Sequence, residues 1–307
     1  MPQSVLVTGG AGFIGSHLVD HLVAAGHHVR VFDDFSTGQL DNLAHHGSKV
    51  EIVKGCLTRL DEVTAAANGT AVIYHLGAMA SVAKSLEDPL LCHAICGTGT
   101  LNVLEAARKA GTKRVVYAAS SSAYGSASDP AGQDEETPLV PLSPYAAAKL
   151  TGEHYLQAYA ASFGVETVRL RFFNIFGPRQ RADSPYSGVI AIFANAMKLG
   201  KPITVHGDGL QARDFTFVAN AVQAVMKAGS VPGVSGRVYN VGTAQCVNLL
   251  ELVSALNRVL GTNVVPLHGA TRAGDVKFSR AKIAKIVDEL GYVPSVDFDA
   301  GLRQTIQ

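Results

Sequence analysis

Ser4-Val5-Leu6-Val7-Thr8-Gly9-Gly10-Ala11-Gly12-Phe13-Ile14-Gly15 decides the fold of this chain. An apolar strand over Ser4–Thr8 runs into a turn with glycines at positions 9, 12 and 15, and a helix over Phe13–Ala25 follows. The glycines permit a tight turn and let backbone N–H groups approach a pyrophosphate, to which the helix N-terminus adds positive dipole. A glycine-rich turn alone occurs in many settings. Its place directly after an all-apolar strand points to a dinucleotide-binding βαβ unit. The spacing is G-x-x-G-x-x-G, not G-x-G-x-x-G.

Working outward, strands over His28–Asp33, Val50–Lys54, Ala71–Leu76, Arg114–Ala119 and Glu166–Phe172 alternate with helices near Leu60–Ala67, Leu90–Ala110 and Pro144–Phe163. This alternation predicts a parallel sheet covered on both faces. After Phe173 glycine and proline become frequent, as in Gly177-Pro178 and Gly207-Asp208-Gly209. Two short helices, near Gly188–Leu199 and Leu249–Leu260, are separated by single strands. The expected fold class is α/β, a doubly wound parallel sheet of Rossmann type with a smaller mixed C-terminal substrate lobe. The expected division gives residues 1–173, with a returning segment near 212–243, to the nucleotide-binding domain. Residues 174–211 and 244–307 form the other lobe.

Asp33 ends the second strand, eighteen residues after Gly15. A carboxylate there accepts from the ribose hydroxyls of an adenosine and repels a 2′-phosphate, which favours NAD over NADP. A turn or helix-cap role is the alternative. Ser120-Ser121-Ser122 follows the strand ending at Ala119, where ligands bind in a doubly wound sheet. Turn-forming serines would look the same. Tyr145 and Lys149, four apart on a helix opened by Ser143-Pro144, share one face. An ammonium beside a phenol favours the phenolate and would suit Tyr145 to act as a base. A solvated helix face is the plainer reading of the pair by itself.

The near-end-to-end pattern resembles the extended short-chain dehydrogenase/reductase family, in particular its NAD-dependent nucleotide-sugar epimerases. It is most similar to UDP-N-acetylglucosamine 4-epimerases and UDP-glucose 4-epimerases. The motifs are Thr8–Gly15, His75-Leu76-Gly77-Ala78, Asn102–Ala106, Ser120–Gly125, Tyr145–Lys149, Arg171–Gln180, Arg213-Asp214-Phe215 and Arg272–Val276. The resemblance implies NAD as cofactor, held by Gly9, Gly12, Phe13, Ile14, Gly15, Asp33 and Lys149. It implies Tyr145 as base, Lys149 lowering the Tyr145 pKa, and Ser120 as catalytic serine with Ser121 sharing the work. It assigns the UDP diphosphate to Arg213 and Arg272, the uridine ribose to Asp275 and the nucleotide-sugar to Asn174. Without those motifs, surface salt bridges would account for the two arginines.

Dehydratases of this family carry Thr-Asp-Glu at the strand end, and the decarboxylases carry a glutamate. Serines stand here, so oxidation at C4 and its reversal is the implied chemistry. Ser279 occupies a position where a tyrosine restricts related enzymes to plain hexoses. With Ala80-Ser81, it implies UDP-GlcNAc/UDP-GalNAc as the preferred pair and UDP-glucose/UDP-galactose as the second. A one-way 4-reductase and a non-catalytic nucleotide-sugar-binding protein are the competing readings. Cys56 stands where Asp is common and Lys282 where Asp is usual.

The formal charge of +1 over 307 residues, 47% of them hydrophobic, gives no case for nucleic acid or an anionic membrane. No apolar run is expected to reach a span of roughly 18 residues, and no secretory leader is expected from the residues before the first strand. Cys56, Cys92, Cys96 and Cys246 are expected as free thiols in a cytoplasmic protein, with no zinc set and no metal. A homodimer through a four-helix contact is implied for the helices Leu90–Ala110 and Pro144–Phe163.

Overall fold

The computed structural model describes residues 2–127, 129–181, 188–271 and 276–306. Strand β1 (Ser4–Thr8) pairs in parallel with β2 (His28–Asp33) on one side and β4 (Val72–His75) on the other. Strand β3 (Val50–Lys54) lies beyond β2, while β5 (Arg114–Ser120) and β6 (Glu166–Phe172) lie beyond β4. The strand Arg237–Val241 closes the far edge beside β6. The resulting seven-stranded order reverses direction between β1 and β4, which is the expected doubly wound, Rossmann-like sheet.

Alternation along the strands supplies both faces. Val5 and Val7 enter one core cluster with α1 (Phe13–Ala24), while Leu6 enters the other. Val115, Tyr117 and Ala119 of β5 join Leu6 on a face covered by α2 (Leu60–Ala67) and the helices after β4. Helices α3 (Val82–Glu87) and α4 (Pro89–His93) come first. A π-helical turn, Ala94–Thr98, then joins α4 to α5 (Gly99–Ala110). The expected helix over Leu90–Ala110 is thus present, but carries a π-bulge. Against the expectation that no apolar run approaches a span, the stretch Pro89–Ala110 is long and apolar enough to cross a bilayer, yet half of it is buried within this fold.

Helix α6 (Pro144–Phe163) starts on a Ser143 cap, with Ala146 N–H donating to its Oγ at 3.2 Å, and ends at Gly164 in the left-handed conformation. Past β6 the chain adds small strand pairings, among them a mixed group of Val247–Asn248, Ala212–Arg213 and Phe278–Ser279. The helices Val189–Lys198 and Leu249–Leu260 form near their expected places. Three further helices, Val218–Ser230, Ala284–Leu290 and Phe298–Ile306, were not expected from periodicity.

Candidate active site

The glycine turn is built by close approach of backbone. Gly9 has φ of +69°, and a Cβ there would stand 2.7 Å from the Gly77 nitrogen. A Cβ on Gly15 would lie 2.1 Å from the Gly9 carbonyl oxygen. Gly12 is the N-cap of α1 and supplies no side-chain cap, so first-turn N–H groups of Phe13, Ile14 and their neighbours are available to an anion. Asp33 is buried. Its Oδ2 accepts from Ala11 N–H at 3.0 Å and its Oδ1 from Phe35 N–H at 2.9 Å. The turn role is therefore real, and each carboxylate oxygen retains capacity for a ribose hydroxyl. Burial raises the Asp33 pKa, against those two N–H bonds. Phe35 holds φ of +61°, a strained value for a residue with a side chain, directly beside this carboxylate. A cradle of bare backbone closed by a carboxylate fits a dinucleotide without a 2′-phosphate.

Below the turn a buried polar chain links β1 to the π-bulge. Thr100 Oγ1–H donates to the Cys96 carbonyl at 2.6 Å, so its oxygen must accept from His75 Nε2–H at 3.1 Å. His75 Nδ1 then accepts from Thr8 Oγ1–H at 2.7 Å, and Thr8 Oγ1 accepts from Gly77 N–H at 3.2 Å. Burial pushes His75 down to about 3, with the Lys149 charge acting in the same direction. Its ring is a neutral spacer under the glycine turn.

At the end of β5, Ser120 caps a short 3₁₀ turn, Ser121–Tyr124. Ser122 donates to Ser120 Oγ from its backbone N–H at 3.2 Å and its hydroxyl at 2.8 Å. Ser120 also faces Tyr145, and its hydroxyl there favours the phenolate. Ser122, beside the expected Ser121, is the neighbour that hydrogen-bonds Ser120.

Lys149 is 2% exposed, and its ammonium stands 4.1 Å from the centroid of the Tyr117 ring. Burial pulls its pKa down to about 8, while the neighbouring Cys96, Glu153 and Cys92 act to raise it. Tyr145 moves the other way. Burial and the nearby thiols raise its pKa, and the Ser120 hydrogen bond is the one opposing influence. The Lys149 ammonium faces the Tyr117 ring in this arrangement.

One turn beyond Lys149, Glu153 forms a buried ion pair with Arg171 of β6, with contacts of 2.9–3.1 Å. Arg171 Nη1 also donates to Tyr124 Oη at 3.0 Å, and Tyr124 Oη–H donates to Asn240 at 2.6 Å. This network and Tyr117 escaped the sequence reading. The i+4 continuation from Tyr145 through Lys149 to Glu153 was the available signal.

Arg213 and Ser279 lie in register in neighbouring strands, and Val247 opposes Arg213 on its other side. Arg213 Nη1 donates to the Ala212 carbonyl at 2.9 Å. Asn174 is exposed, and its carbonyl accepts from Thr216 N–H at 2.9 Å. Ser81 caps α3, accepting from Lys84 N–H at 3.2 Å. Arg272 and Asp275 fall outside the described residues. Asp214, buried beside Arg213, accepts from Thr243, Ala244, Thr216 and Ala281, which makes it the hub of this region. At the two departures, Cys56 N–H donates to Glu62 at 2.9 Å and Lys282 pairs with Asp134 at 3.2 Å.

Residues 5–242 match the model of the NAD dependent epimerase/dehydratase family. The UDP-glucose 4-epimerase of Mycolicibacterium smegmatis is 38% identical over 98% of this chain and 97% of its own length. The UDP-glucose 4-epimerase of Thermus thermophilus, solved as a complex with NAD, is 35% identical with a TM-score of 0.90, covering 99% and 97% of the two chains. The UDP-N-acetylglucosamine 4-epimerase of Methanobrevibacter ruminantium, in complex with UDP-N-acetylmuramic acid, is 33% identical with a TM-score of 0.94 over the same shares. Relatives also include a UDP-N-acetyl-glucosaminuronate decarboxylase and a UDP-glucuronate 4-epimerase. With its glycine cradle, its Asp33 and these relatives, the chain belongs to the NAD-dependent epimerase/dehydratase family, the extended short-chain dehydrogenase/reductases that act on UDP-sugars.

Proposed function

We propose that the protein interconverts UDP-sugars at C4, preferring UDP-GlcNAc/UDP-GalNAc and accepting UDP-glucose/UDP-galactose second, through a transient 4-keto sugar. The observation that carries this reading is the all-hydroxyl strand end of β5, where Ser122 donates to Ser120 beside Tyr145. Elimination or decarboxylation would call for an added acid, base or glutamate there, and serines stand in those places.

In this reading the glycine turn and Asp33 hold NAD, which when bound accepts a hydride from C4 and returns it. Tyr145 takes the C4 hydroxyl proton and gives it back, and Ser120 donates to its oxygen as charge develops. Lys149, with Tyr117 beneath it, holds the nicotinamide ribose and supplies positive charge in a dry pocket. Arg213 and Arg272 grip the diphosphate while the sugar turns over. Asn174 and Asp275 bind the nucleotide-sugar, and Ser81 and Ser279 leave room for an acetamido group. Residues 1–173 with 212–243 would serve the cofactor, and 174–211 with 244–307 the UDP-sugar.

The small Ser279 supports the acetylated pair, and its register with Arg213 supports its nearness to the diphosphate. Purified protein given UDP-GlcNAc and UDP-glucose separately should form both epimers, the acetylated one faster. Ser279→Tyr should lose turnover of UDP-GlcNAc preferentially. An equal loss on both substrates would refute the size gate. A homodimer is part of this proposal: Leu86, Leu90 and Leu91 on α3 and α4, with Tyr155 and Phe163 on α6, are exposed apolar groups suited to a four-helix contact. Sedimentation of the wild type against Leu90→Glu checks it.

A further inference from the structure

Apart from the residues assigned above, the fold gathers three ligand groups that lie 25 and 26 residues apart in the chain. Asp20 projects from α1. His45 and His46 are consecutive in the 3₁₀ segment Ala44–Lys49 that follows β2. Both histidines aim Nε2 at one carboxylate oxygen, Asp20 Oδ1, at 2.9 Å and 2.8 Å. All three ligand atoms lie within 4.8 Å of one another. The two rings are in contact, 4.0 Å between centroids, so neighbouring side chains converge where they would ordinarily diverge. Asp20 Oδ2 is held by the Arg179 guanidinium at 2.9 Å.

We propose that Asp20, His45 and His46 form a binding site for a divalent transition-metal ion of the zinc class. Two imidazole nitrogens and one carboxylate oxygen suit zinc, cobalt or nickel, and leave a fourth position for water. Magnesium and calcium seek oxygen ligands, and two imidazoles do not serve them. Arg179 has a defined part. By holding Oδ2 it leaves Oδ1 as a single ligand atom, as outer-shell partners do in metal sites. Its charge also disfavours a cation bound by electrostatics alone, so affinity has to come from the imidazoles. The ion would replace the protons now shared between Nε2 and Oδ1.

The location gives the site a consequence. Gln39 N–H and Asn42 Nδ2 donate to the Ala11 carbonyl at 3.0 Å and 2.9 Å, which ties the same segment to the glycine turn. Gly38 packs against the Asp33 carboxylate. A metal at Asp20 would fasten residues 39–49 to α1 and stiffen the wall around Asp33.

The test is Co²⁺ titration of chelator-treated full-length protein, read by visible absorption and by the thermal midpoint. One Co²⁺ per chain should bind, with a ligand-field band and a raised midpoint, and Zn²⁺ should displace it. His45→Ala, at a half-exposed side chain, should fold and keep epimerase turnover while weakening Co²⁺ at least about tenfold. Asp20→Asn should weaken it similarly. Absence of stoichiometric binding to the wild type, or undiminished binding in both variants, would overturn the proposal and leave the three groups as a hydrogen-bonded strap.

Discussion

The Lys149 ammonium rests 4.1 Å above the Tyr117 ring, while the Tyr117 hydroxyl donates to the Lys149 carbonyl at 3.2 Å. A tyrosine on the central sheet thus holds both ends of the lysine that follows Tyr145 by one helical turn. The ring face attracts the cation, but burial strips its water, and burial wins: the pKa falls to about 8.

That depression sets a pH dependence. The unfolded lysine titrates near 10.4, so between pH 8 and 10.4 the unfolded state carries a proton that the native state lacks. Native stability attributable to Lys149 therefore rises with pH across this window. In NAD-free protein, the stability of the wild type relative to Lys149→Met should increase by about 3 kcal/mol from pH 8 to 10.4, measured by urea unfolding. A difference that stays flat or falls would contradict the burial assigned to this ammonium.

Glu153→Gln keeps the shape of the Arg171 partner and removes its charge, leaving a buried guanidinium uncompensated. Unfolding free energy should drop by about 3–5 kcal/mol. Replacing both residues by leucine should recover much of the loss. A change below 1 kcal/mol, roughly the worth of an exposed pair, would mean that the pair is hydrated.

Gly15→Ala places a methyl against the Gly9 carbonyl and the Gly10 Cα, both backbone, so no rotamer relieves it. Overpacking of this kind costs about 1–3 kcal/mol, and NAD should be released more readily. Gly26→Ala is the control. Its Cβ would meet nothing within 4 Å, and only its φ of +82° opposes the change, at about 1 kcal/mol. The thermal midpoint and cofactor retention on gel filtration report both.

Tyr145→Phe should lower epimer formation by a factor of about 10² to 10⁴ and leave the fold intact, since it removes only the hydroxyl and keeps the ring. Ser122→Ala should be milder, because it removes a donor to Ser120 and touches Tyr145 only through it. An unchanged rate in Tyr145→Phe would exclude the phenol as the proton carrier.

The parts legible in the sequence were those with a local signal. The centre of β1, Val5-Leu6-Val7, is apolar and the strand runs into glycines, and Tyr145–Lys149 sits at helical spacing in an alanine-rich run. What escaped depends on distance or on weak periodicity. Glu153 meets Arg171 only when α6 lies on β6, and Asp20 meets His45 and His46 only when α1 packs beside the segment after β2. The 3₁₀ turns at Leu40–Asn42 and Ala44–Lys49 are short, polar and without a period. The helix Val218–Ser230 is an exception, since its apolar residues Val218, Ala221, Val222 and Val225 recur at helical spacing that the sequence carries. The orientation of Lys149 toward Tyr117 is a packing outcome, and residue spacing carries no signal for it.

The most direct measurement follows deuterium from C4 of UDP-GlcNAc, incubated with purified protein without added cofactor. Hydride removal and return at the same carbon predicts UDP-GalNAc that keeps the label at C4, with none in water and no need of added NADH. Label lost to solvent, or product formed only with stoichiometric NADH, would contradict C4 epimerisation by this site.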